Sequence, residues 1–164
     1  MIRFSLPQTE AVITNVNNRI EKHGKEEKQV GFDIDIQATV PIDVLNDLAV
    51  GCFVHYKDLF YDEEGNVKQT GILKLSYDRK YEEHRFKLAM DNVSQDFQIF
   101  PEVTVKKFSA QLDANHMVKL HFQVQCHPTD EALLFLRQAQ IKDSVLVTIE
   151  EPSQQDLLDA ESED

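Results

Sequence analysis

Residues 77–87 interleave aromatic rings with bases. Single-stranded nucleic acid is held by bases stacking on aromatic faces while cations neutralise phosphate, so this composition can do that chemistry. Arg79, Lys80, Arg85 and Lys87 are the candidates for phosphate, and Tyr77 and Tyr81 for stacking. Lys106 and Lys107, followed by Phe108, repeat the composition and extend the candidate nucleic-acid interface. The competing reading is an ordinary hairpin that buries Phe86 and leaves its charges in water.

A second pattern is Asp33 and Asp35, two carboxylates on one face of a strand about 7 Å apart. Such pairs hold divalent cations in metal-dependent nucleases, and they also simply solvate the outer face of a sheet. Zinc is disfavoured by spacing. His121 and His127 share a strand face but lie roughly 20 Å apart, and Cys126 and His127 point to opposite faces. Gly24 and Lys25 lack the upstream glycine of a phosphate loop, and neither Gly-x-Ser-x-Gly nor His-Glu-x-x-His occurs. The expectation is therefore a chain that is not an enzyme, with no metal and no cofactor.

These residues must be positioned by strands. From Val118 to His127 apolar and polar residues alternate, which turns Val118, Leu120, Phe122, Val124 and Cys126 inward. Val30 to Val40 alternates in the same way. Each run leads into a helix start containing proline: Pro41 opens one, and Thr129 caps the other after Pro128. The predicted fold is mainly β with short helices, an antiparallel sheet or sandwich built from two hairpin-plus-helix units. The units cover about residues 11–50 and 102–149. Between them residues 52–100 read as a meander: a strand, or a strand and bend, over 52–61, strands over 72–77 and 84–90 around a charged turn at 78–83, and a short apolar piece ended by Pro101. Leu133, Leu134, Leu136 and Ala139 supply the buried stripe of the second helix.

The 164 residues suffice for one domain, placed at 1–151, followed by an acidic tail. The net charge of −12 is uneven: residues 150–164 carry seven acids and no base, which leaves −5 for the rest. Residues 68–87 hold six bases against three acids. No apolar run is long enough to cross a bilayer as a helix, and the first residues lack the apolar stretch of a secretory signal, so no membrane partner and a cytosolic location are expected. Cys52 and Cys126 are too few for a disulfide framework, although a single bridge stays open. In the tail, Leu157 and Leu158 are candidates for anchoring on a host or phage protein.

Residues 13–25 resemble the start of small phage and prophage β-rich proteins of no assigned activity, and residues 122–128 resemble their second half. That resemblance implies an accessory role near DNA replication or recombination and carries over no site residue. The β-rich body with an acidic tail is also similar in outline to phage single-stranded DNA-binding proteins, but the tail lacks a terminal aromatic. The leading expectation is a non-enzymatic phage-type accessory protein of DNA metabolism that binds single-stranded nucleic acid. The alternative is an acidic protein-binding module that mimics DNA and inhibits a host nuclease or defence enzyme. A metal-dependent nuclease using Asp33 and Asp35 is third. Edge-strand pairing into a homodimer is open to any of them.

Overall fold

Alternating apolar and polar side chains set the strands, and the sheet that they make closes on itself. The computed structural model describes residues 3–23, 27–49, 53–93 and 95–152. Six antiparallel strands form a closed barrel: β1 (Leu6–His23), β2 (Glu27–Pro41), β3 (Lys74–Ala89), β4 (Phe97–Asp113), β5 (Met117–Cys126) and β6 (Val145–Glu150). Their order around the barrel is β1-β2-β5-β4-β3-β6, with β6 returning to β1. A 3₁₀ helix (Ile42–Asp47) and α1 (Phe53–Phe60) follow β2, and α2 (Asp130–Gln140) follows β5.

The inward parity read from the sequence holds. Val118, Leu120, Phe122, Val124 and Cys126 of β5 are buried, as are Phe32, Ile34, Ile36, Ala38 and Val40 of β2, whereas Val30, which opens the second run, is exposed. Aromatic rings fill the middle: Phe4 lies 5.0 Å from Phe108 and 5.6 Å from Tyr81, and Phe108 lies 6.0 Å from Phe122. His84 is buried in this core, where the Phe4 amide donates to its Nε2 at 3.2 Å. Its Nδ1 therefore carries the proton and donates to the Glu82 carbonyl at 2.8 Å. The α2 helix starts where Thr129 caps it, its hydroxyl accepting the Ala132 amide at 3.2 Å.

Four local expectations are corrected. Residues 52–61 do not form a strand; their described part is α1 followed by Tyr61 in an isolated bridge with Val67. Residues 78–83 are not a turn, because β3 runs straight through them and absorbs the charged stretch in register shifts at Tyr77/Lys80 and Tyr81/His84. Pro101 does not end a strand. It lies inside β4 beside Glu102, a left-handed residue at φ 54°, and ahead of Thr104, where pairing with β5 begins, so its missing amide breaks no β5 ladder bond. Leu134 is exposed, because α2 buries Ala132, Leu136 and Ala139 at helical spacing and turns Leu134 to the other side.

The barrel replaces the sandwich alternative. Exchanging β1, β2 and β3 for β4, β5 and β6 returns the same cyclic strand order. That equivalence is one of order alone: the paired strands differ in length, 15 residues against 10 for β2 and β5 and 16 against 6 for β3 and β6. It does not establish the predicted repeat. No helix among the described residues is long and apolar enough to cross a membrane.

Candidate nucleic-acid interface

The barrel interior is filled with side chains, so chemistry is left to its outer wall. Register places the outward residues of five strands in rows. One row runs Lys80, Lys106, Gln123, Asp35, Asn15 across β3, β4, β5, β2 and β1. The next runs Ser76, Ser109, His121, Gln37. A third runs Lys74, Gln111, Lys119, Thr39. Cations thus collect on the β3–β4–β5 part of the wall, joined by Lys107, which is exposed where β4 bulges at φ 57°.

The crowding is visible in the electrostatics. Burial pulls the Lys106 ammonium below the ordinary lysine range; Asp33 opposes this, while Arg19, Lys107 and Lys80 add to it. Burial likewise lowers the His121 imidazole, with Lys74 and Lys119 pushing the same way against Asp35. Lys80 also meets Glu82 at 3.2 Å, an exposed pair worth little. Gln123 is only 6% exposed. Its Nε2 donates to Asp35 Oδ1 at 2.9 Å, which fixes the amide orientation and leaves Oε1 as an enclosed acceptor with no partner among the described residues.

The acidic side of the wall is held by internal pairs. Arg19 Nη1 donates to Asp33 Oδ1 at 2.5 Å, and Arg19 also binds Glu21. Glu21 accepts from His127 Nε2 at 2.7 Å, and that bond, opposed by burial and helped by Arg19, brings its carboxyl down to about 2. Gly31 makes this possible: a methyl there would lie 2.5 Å from Arg19 Nη2 and push the guanidinium away. Asp33 and Asp35 are therefore each bound to a protein donor. Among the described residues no three His, Cys, Asp or Glu side chains gather as metal ligands.

The eight residues named for nucleic-acid binding are dispersed. Lys80, Lys106 and Lys107 come together. Tyr81 cannot offer a stacking face: it is 1% exposed, and its hydroxyl donates to the Asp47 carbonyl at 3.1 Å. Tyr77 is half-buried opposite Phe108, and Arg79 donates to the Leu48 carbonyl at 2.9 Å, closing the 3₁₀ helix. Arg85 stands across from Glu150 on the β6 side, and Lys87 lies over the Phe97 ring at 4.4 Å. Leu157 and Leu158 lie outside the described residues, as does Cys52. Lys74, Lys119 and His121 join the cationic patch although the sequence pointed to none of them for nucleic acid. Their outward parity was legible, but the pairing of β3, β4 and β5 that gathers them was not. No protein-family model, curated protein or solved structure matches the chain, so this patch is defined by its geometry alone.

Proposed function

We propose that the protein is a non-catalytic, phage-type accessory factor of DNA metabolism that binds single-stranded nucleic acid on the outer wall of β3, β4 and β5. Lys74, Lys80, Lys106, Lys107 and Lys119 meet the phosphates, and His121 joins them when protonated. One observation carries the reading: Lys80 and Lys106 face each other across paired strands, with Lys107 close by, in a chain of net charge −12. Like charges directly opposite destabilise a sheet, and a polyanion laid along the patch relieves that repulsion. Aromatic stacking has no part in this version, because Tyr81 belongs to the core.

The test is fluorescence anisotropy of a labelled single-stranded oligonucleotide with the full chain and with Lys80→Gln, Lys106→Gln and Lys119→Gln. Binding should weaken with salt, and each substitution should lower the salt slope by about 0.7, the single-strand value per phosphate contact. Absence of binding at low salt, or binding indifferent to all three changes, overturns the reading. The acidic-module alternative predicts such indifference, together with capture of a basic protein.

A further inference from the structure

The hairpin of β1 and β2 outruns the barrel. β6 lies beside β1 only over Leu6–Ala11, and β5 lies beside β2 only from Phe32 onward. From Val12 to His23, therefore, one edge of β1 has no strand beside it among the described residues. On this arm Ile20 pairs with Val30, and both are exposed, at 68% and 48%. An open edge next to an apolar pair is a template for another strand.

We propose that this edge pairs antiparallel with the same edge of a second copy, about a two-fold axis at Ile20, to make a dimer. The residues themselves select the register. Matching the faces of two antiparallel strands allows only shifts of two, so the axis falls on a residue and not between two. An axis on Arg19 or on Glu21 would set like charges opposite one another. An axis on Ile20 sets Arg19 opposite Glu21 of the other copy twice, and aligns Val30, Ile20, Ile20 and Val30 in one row across four strands. Arg19 and Glu21 are already held by their own chain, Arg19 by Asp33 and Glu21 by His127, so they present fixed charges to the partner. The occupant is a second copy because the edge is complementary to itself. The dimer stands independently of nucleic-acid binding, which uses the wall of β3, β4 and β5.

Sedimentation equilibrium of the full chain should give a dimer, and Ile20→Lys should give a folded monomer. In a Cys52→Ser background, Ile20→Cys should cross-link to a covalent dimer under mild oxidation, because directly opposed Cα atoms fall within disulfide range. Asn18→Cys should not, because the two positions would be about 13 Å apart. A monomer at every concentration overturns the proposal. So does a dimer that Ile20→Cys fails to cross-link, or one that both cysteines cross-link equally.

Discussion

Glu21 shows how one carboxylate ties the outer wall together. It accepts from His127 and Arg19, and Arg19 in turn reaches Asp33 across β1 and β2. Its carboxyl, brought from 4.5 down to about 2, binds its proton more weakly in the folded chain than in the unfolded one. The stabilisation from Glu21 is thus complete above pH 4.5 and is lost as pH falls toward about 2. An NMR titration should place the Glu21 midpoint near 2 in the native chain and much closer to 4.5 in His127→Ala, since the His127 bond is the largest cause. An unchanged midpoint would remove His127 from that role. None of this was legible beforehand. Asp33 and Asp35 were recognisable as an outward pair, but the glutamine that binds Asp35 comes from β5, 88 residues away, and the arginine that binds Asp33 reaches it only through the register of the β1–β2 hairpin.

Strands carry their pattern within a few consecutive residues, which is why β2 and β5 were legible. Elements that bend the pattern were not. The residues of α1 include Phe53, Val54, Tyr56 and Phe60, β-branched and aromatic types that favour a pleated surface, and eight residues are too few for helical period to show. In β3 the charges of residues 78–83 imitate a turn, yet bulges keep the strand intact and place Tyr81 inside. The α2 helix was signalled by its cap, and the cap is testable. Thr129→Ala removes the acceptor of the Ala132 amide and should cost about 1 kcal/mol in a urea unfolding series. Thr129→Ser should restore most of it. Equal stability of all three would show that packing of Leu136 and Ala139 alone sets the start of the helix.

At the scale of the whole molecule, closure of the barrel seals the core from reagents. Burial pushes the Cys126 thiol up to about 12, so at pH 8 roughly one molecule in ten thousand carries the reactive thiolate. In a Cys52→Ser chain, a thiol reagent at pH 8 should label Cys126 only after unfolding, at a rate that rises with denaturant. Rapid labelling in native buffer would mean that β5 opens locally. The order of the strands has a further consequence, for the time at which the barrel can close during synthesis. β6, residues Val145–Glu150, is the strand between β1 and β3, one of which begins at Leu6. On the ribosome β2 can pair with β1 and β4 with β3, and β5 then joins the two hairpins, but the sheet stays an open ribbon with two bare margins until the sixth strand is released. The nascent chain is most exposed to proteases and to sticking to its neighbours in the interval before β6 emerges. A chaperone that shields it has to act within that interval.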